Sequence, residues 1–230
     1  MIISHKHKFI FIKTSKTAGT SIEVLLSRLC SSEDIVTPIY PAITGHIPRN
    51  YTGFFNPLID IALLVKGENS KVKNKNLISS LLRRQKFYNH IPAVLVKNRV
   101  SKHVWDSYYK FCFDRNPFSR AVSHFNMLKG RGMVEQFSDF IYSDMTKNNI
   151  DYYTDLGGSL MVDKVYKYEN LELELENIFD KLEIDIGEIE LGKYKKGDDK
   201  IDYQSYYDEG TKKIVRNKFQ KELDLHGYIF

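Results

Sequence analysis

Residues 8–13, KFIFIK, hold four apolar residues between two lysines. Nothing polar alternates within the run, so it predicts a strand covered on both faces, as in a parallel sheet. The period then changes. Across 20–30, TSIEVLLSRLC, residues Ile22, Leu25, Leu26 and Leu29 recur at helical spacing, and Thr20 or Ser21 can cap the start. From 31 to 70 the pattern is broken by Pro38, Pro41, Pro48 and Pro57 and by Gly45, Gly53 and Gly67, and is read as irregular. Order resumes at 91–100, IPAVLVKNRV, a short helix with Pro92 in its first turn. SYYKFCF, 107–113, predicts a second strand. A helix follows in which Asn116 can cap, Pro117 suits the first turn and Gly130 ends the run. KVYKYE, 164–169, predicts a third strand. Residues 170–184 predict a helix with Leu171, Leu175, Ile178 and Leu182 on one face, and a last helix covers roughly 208–225.

Strands alternate with helices, and no repeat or low-complexity linker divides them. The expectation is therefore one α/β domain over 1–230, with a parallel β-sheet core flanked by helices and an irregular segment at 31–86.

A chain of 230 residues with 42% hydrophobic and 27% charged content can bury one substantial core. No run approaches the roughly 20 apolar residues that span a bilayer, and MIISHKHK has no apolar secretory segment. Cys30 and Cys112 are the only cysteines, too few for a disulfide framework or a four-cysteine zinc site. The expectation is a cytoplasmic protein with no membrane partner and no metal. The net charge of +5 is unevenly spread. Residues 66–86 carry seven lysines and arginines against Glu68 alone, and residues 169–190 carry nine acids against Lys181 alone. Such blocks usually form solvated faces, although the basic one also suits an anionic partner.

Candidate chemistry begins where the first strand ends, in KTSKTAGTSIE. A strand feeding a glycine-containing turn and a helix gathers backbone N–H groups around one point, and the helix dipole favours an anion there. Lys16 adds a cation, Thr17, Thr20 and Ser21 add hydroxyls, and Gly19 permits the turn. A nucleoside-triphosphate loop with its lysine at Lys16 needs glycines at 10 and 15, where this chain has Ile10 and Ser15. The alternative is a plain corner with Lys16 merely exposed. FCFDRNPFSRAVSHF repeats the layout of strand, turn and helix. The Arg115 guanidinium suits paired hydrogen bonds to a phosphate, unless it pairs with Asp114 or the acidic segment. Ser123 lies one turn beyond Ser119, where its hydroxyl can also bond back to a carbonyl four residues earlier.

Together the two stretches resemble the sulfotransferase superfamily, in its carbohydrate-type branch. Ser15-Lys16-Thr17-Ala18-Gly19-Thr20-Ser21 is similar to that family's Pro-Lys-Thr-Ala-Gly-Thr-Ser turn, departing only at Ser15. Arg115-Asn116-Pro117, followed by Ser123, is similar to its second motif. VYKYENLELEL and the tail from Asp202 also look like the later parts of that branch, so the resemblance covers most of the chain and is thinnest at 31–86. It implies a donor, 3′-phosphoadenosine 5′-phosphosulfate (PAPS), with adenosine 3′,5′-bisphosphate as product. Lys16, Thr17, Ala18, Gly19, Thr20 and Ser21 would grip the 5′-phosphosulfate, and Arg115 and Ser123 the 3′-phosphate. Lys195, Lys196 and Gly197, in a basic turn, would close over the 3′-phosphate, and 31–86 would be an acceptor-side insertion. A donor anionic at both ends fits two separate anion sites.

Sulfuryl transfer to a hydroxyl needs cations for the leaving phosphate and a base for the proton. Lys16 is assigned to the first task. Histidine, with a pKa near neutrality, is first choice for the second, so turnover is expected to fall in acid. YNHIPA resembles the family's acceptor-site segment, which puts His90 first and His46, in TGHIPRN, second. His5 and His7 make at most half a metal site and suit a surface strand better. Trp105, Tyr108 and Tyr109 could stack on a ligand or simply fill the core. The acceptor is expected to be a hydroxyl-bearing small molecule or glycan, with no nucleic acid as partner. Two rivals stand beside this reading. One is a magnesium-dependent kinase, for which Asp114 is the candidate acid. The other is a non-catalytic binder of anionic glycan or nucleic acid through 66–86.

Overall fold

The computed structural model describes residues 1–66, 79–80, 82–143, 145–185 and 202–230, with backbone alone for 63–66. Its centre is a five-stranded sheet built from β1 (Ile2–Ser4), β2 (Phe9–Ile12), β3 (Ile35–Val36), β4 (Tyr109–Asp114) and β5 (Lys164–Lys167), ordered β3-β1-β2-β4-β5. The three strands expected from sequence are parallel neighbours, with Phe9 opposite Tyr109, Ile12 opposite Cys112, and Asp114 opposite Lys167. The sheet is nevertheless mixed. β1 runs antiparallel to β2, pairing Ile2 with Phe11, and β3 runs antiparallel to β1. The reason is local: only the turn at residues 5–8 joins β1 to β2, and so short a connection closes only an antiparallel pair. His5 and His7 thus sit in a turn rather than a strand, with His5 Nδ1 2.9 Å from the Tyr108 hydroxyl.

Both faces of the sheet are apolar, as the unalternated strand pattern requires. Phe9, Phe11, Phe111 and Phe113 pack with Ile22, Leu25 and Leu26 of α1 (Gly19–Ser27) and with Leu175 and Ile178 of a later helix, Leu171–Lys181. Ile10, Ile12 and Cys112 face the other way. They meet α3 (Ala93–Arg99), Trp105 of α4 (Lys102–Ser107) and Tyr152 and Tyr153 of α7 (Ile150–Tyr153). Trp105 is therefore core, and β4 starts two residues later than expected because α4 occupies the chain before it. Within the irregular segment the breaks concealed the helix α2 (Leu58–Lys66). It turns Asp60 inward onto Arg99, with two contacts of 2.8 Å, and leaves Leu58 and Ile61 exposed.

α5 (Pro117–Lys129) starts as its residues dictate, with Asn116 Oδ1 accepting from the Phe118 N–H at 3.1 Å. Its apolar face packs against α6 (Phe137–Tyr142) and the C-terminal helices in a third cluster. The helix 171–181 is α8, shorter at both ends than expected. The single last helix is two, α9 (Glu209–Lys218) and α10 (Gln220–His226), separated at Phe219. Asp208 caps α9 through the Thr211 N–H at 2.7 Å.

Candidate active site

The loops after β2 and β4 leave the carboxyl ends of adjacent parallel strands, where open α/β sheets place their ligands. They touch at their roots. The Thr14 hydroxyl donates to the Phe113 carbonyl and lies 2.9 Å from the Thr17 hydroxyl. The first loop then turns sharply, with Lys16 at φ 64° and Ala18 at φ 52°, left-handed geometry at two residues that have a Cβ. α1 begins at Gly19 with Ala18 in the N-cap position and no side-chain cap. The first N–H groups of the helix are thereby left for another acceptor. Gly19 is demanded by space rather than by φ: a Cβ there would lie 2.9 Å from Lys13 Cγ and 3.2 Å from its Cε. Thr17 is buried, while Lys16, Ala18, Thr20 and Ser21 are half-buried.

On the second loop the Arg115 guanidinium lies over the Tyr168 ring at 4.4 Å, and its Nε donates to Ser119 Oγ at 2.8 Å. Ser123 is one turn further along α5, half-buried. Asp114 is paired with Arg120 at 2.9 Å, so the side chain of the neighbouring arginine is not its ion-pair partner. Asp114 is fully buried, and both its oxygens are taken. Oδ1 accepts from the Arg115 N–H, Arg120 Nη1 and Asn149 Nδ2 at 2.8, 2.9 and 3.0 Å, and Oδ2 accepts from the Tyr153 hydroxyl at 2.6 Å. A carboxylate so engaged has little left for magnesium, which removes the acid that the kinase reading relied on. Arg120 also binds Glu222, and the two acids raise its pKa against the opposing effect of burial. Burial and Asp114 push the Tyr153 hydroxyl up, so it stays a neutral donor.

His90 reaches the root of the first loop from the segment before α3. Its φ is 58°, and its Nδ1 is 3.1 Å from the Lys13 carbonyl oxygen. A carbonyl only accepts, so Nδ1 carries the hydrogen and Nε2 keeps the lone pair. Burial, with the Lys13 ammonium nearby, lowers the ring's pKa to about 3. The near-neutral value expected from sequence is thus displaced, because desolvation disfavours the imidazolium. His46 shares these neighbours; burial lowers its pKa, and its buried Nε2 has no hydrogen-bond partner among the described residues.

Sequence reasoning missed the ion pair beneath the loop. Lys13 Nζ lies 2.7 Å from Glu23 Oε2, both fully buried, and Thr37 donates to the other carboxylate oxygen at 2.9 Å. Burial alone would raise the Glu23 carboxyl, but the Met1 amino group and Lys13 hold it below its ordinary value. The available signal was Glu23 standing inside the apolar face of α1. His124 packs edge-on against Phe140 at 5.3 Å, whereas His226 lies 3.0 Å from the Tyr153 hydroxyl and 3.7 Å from Asp114 Oδ2, behind the root of the second loop. Lys195, Lys196 and Gly197 lie outside the described residues, as do positions 67–78 and 81 of the basic block. Among the described residues, no group of acids, histidines and cysteines is arranged to hold a metal ion. Nor, among the described residues, is any helix long and apolar enough to cross a membrane.

An uncharacterized protein of Archaeoglobus fulgidus is 32% identical over 98 residues, which are 40% of this chain and 82% of that relative. No solved structure matches the chain. A sulfotransferase family model matches residues 1–228, nearly the whole sequence, and the chain belongs to that family.

Proposed function

We propose that this sulfotransferase moves a sulfuryl group from PAPS to a hydroxyl of a carbohydrate. The observation that carries the reading is the pair of anion-ready loops at the ends of β2 and β4, joined at their roots through Thr14 and Phe113. A donor with anionic groups at both ends of one nucleotide needs two such loops. The uncapped start of α1 supports a phosphosulfate held by backbone N–H groups from Lys16 to Ser21, with Lys16, Thr17, Thr20 and Ser21 adding side-chain donors. Arg115 and Ser123 would take the 3′-phosphate, and Lys195, Lys196 and Gly197 are assigned to it by resemblance alone.

When bound, the donor supplies an activated sulfuryl group and a phosphate leaving group. The chain's own residues do the rest. Lys16 meets the charge that grows on the leaving oxygen, an interaction worth most where water is excluded. His90 accepts the acceptor's hydroxyl proton at Nε2, held in that tautomer by the Lys13 carbonyl. His46 is the reserve base.

The first test is thermal. Adenosine 3′,5′-bisphosphate should raise the melting temperature, as a ligand of the native state must, and without magnesium. ATP with magnesium should do so less. Stronger stabilisation by ATP and magnesium would return the kinase reading. Labelled PAPS offered to a panel of sugars and simple alcohols then tests the acceptor, and transfer only to non-carbohydrate hydroxyls would refute that part.

A further inference from the structure

The geometry points to Asn149 as a positioning residue that locks the loop around Lys16 to the strand end carrying Arg115. The assignment rests on the donor reading above, since these two loops are the ones given to the two ends of the nucleotide.

Asn149 is fully buried at the start of α7. Its carboxamide is engaged at both ends. Oδ1 accepts from the Ser15 N–H at 3.0 Å, and Nδ2 donates to the Ser15 carbonyl and to Asp114 Oδ1, each at 3.0 Å. One side chain thus holds both backbone polar groups of a loop residue 134 positions away in sequence. Glu222 Oε1 fixes its main chain by accepting from the N–H groups of Asn149 and Ile150.

Ser15 immediately precedes Lys16, and the left-handed geometry at Lys16 and Ala18 persists only where the surroundings impose it. α1 holds the far side, with the Ile22 N–H donating to the Ala18 carbonyl at 3.1 Å. Asn149 holds the near side. The Asp114 oxygen that receives Asn149 also receives the Arg115 N–H at 2.8 Å. A continuous chain of hydrogen bonds therefore runs from Ser15 through Asn149 and Asp114 to Arg115, so the two anion loops are set at a fixed spacing. Without Asn149 the first loop loses both hydrogen bonds to the Ser15 main chain and its link to Asp114, while its root stays joined to β4 through the Thr14 hydroxyl and the Phe113 carbonyl. Asp114 keeps Arg115, Arg120 and Tyr153, so the second loop stays in place.

The test compares wild type with Asn149→Ala, using calorimetric binding of adenosine 3′,5′-bisphosphate and of adenosine 3′-monophosphate to protein that unfolds cooperatively. The expected result is an affinity loss of about 10- to 100-fold for the bisphosphate and less than about twofold for the 3′-monophosphate. A residue that served stability alone would lower the melting temperature and leave both affinities unchanged in the folded protein. That result overturns the assignment, and so does an equal loss for both ligands. Should the variant not fold, amide exchange of nucleotide-free wild type decides. Ser15 N–H, bonded to a buried carboxamide, should exchange as slowly as the amides of β4, and exchange at the rate of exposed loop amides overturns the assignment. Wild type that binds neither nucleotide refutes the donor reading and this assignment with it. Normal wild-type binding with an unaffected Asn149→Ala variant refutes the clamp alone.

Discussion

Replacing His90 with glutamine should flatten the acid side of the protein's stability profile. The folded imidazole has a pKa lowered to about 3, chiefly by burial and then by Lys13, against 6.5 when exposed. In the folded state the ring is neutral throughout the ordinary pH range. In the unfolded state it takes up a proton below pH 6.5. The unfolded state therefore binds more protons as the pH falls, and stability present above pH 6.5 is lost between there and about pH 3. At pH 5 the exposed imidazole is almost wholly charged while the folded one is not. That gap of 1.5 pH units, at about 1.36 kcal/mol each, costs the wild-type protein about 2 kcal/mol. His90→Gln carries no such linkage. It also loses or alters the hydrogen bond to the Lys13 carbonyl, but that offset does not vary with pH. His46 and His226 are shifted in the same direction and remain in both proteins, so they cancel from the comparison. Urea unfolding at pH 7.5, 6 and 5 measures the effect. The gap between variant and wild type should move in the variant's favour by about 2 kcal/mol from pH 7.5 to pH 5. Parallel stability curves would refute the burial argument. The same shift bears on catalysis. An ordinary histidine base would give kcat/KM an acid limb near pH 6.5, whereas this one should show none above pH 5. Turnover of His90→Ala should still fall by about 100- to 10,000-fold, as loss of a general base requires.

The other expectations concern the loops and their support. Lys16→Ala should lower kcat by about 100- to 1,000-fold, the usual cost of removing one group aimed at transition-state charge, with less effect on bisphosphate affinity. Arg115→Ala should chiefly weaken binding of adenosine 3′,5′-bisphosphate, because a 3′-phosphate is remote from the reacting sulfur. Unchanged affinity in a folded protein would remove Arg115 from the site. Gly19→Ala should destabilise by about 1–3 kcal/mol in denaturant, since the new Cβ meets Lys13 Cγ at 2.9 Å and Lys13 is held by Glu23. Arg120→Met should cost about 3–5 kcal/mol, because Asp114 would lose the arginine that pairs with it in the core and Glu222, whose pKa burial already raises to about 7, would lose the same partner.

What could be read from the residues divides along a physical line. The apolar run at Phe9–Ile12, the helical spacing of Ile22, Leu25 and Leu26, and the Asn116-Pro117 helix start are local signals. Each depends on neighbours a few positions away, and each falls in the element the pattern gives it, although α1 starts at Gly19 without the expected Thr20 or Ser21 cap and ends at Ser27, short of Leu29. β1 was too short to carry a period, and its pairing is set by the turn at 5–8. α2 resisted reading for a different reason. Its one acid points inward because Arg99, 39 positions away, meets it there, and Leu58, Ile59 and Ile61 are left exposed. Pattern reading assumes that charge faces water, and that assumption fails where a distant partner compensates the burial.

The same failure explains which site residues stayed hidden. Lys16, Arg115 and Ser123 could be singled out because they leave the strand ends in a recognisable order. Lys13, Glu23, Arg120, Asn149 and Glu222 could not, because each is defined by a partner in another element. Yet these buried groups determine what the loops can do. A left-handed Lys16 and an uncapped α1 are unfavourable taken alone, and they persist because Ser15, Lys13 and Asp114 are each held from behind. Burying so many charges has to be compensated by near-complete pairing, which leaves this region of the core little tolerance for change. Substitutions in the support should therefore alter function and stability together, whereas substitutions of the loop side chains that face the ligand should alter function with little effect on stability.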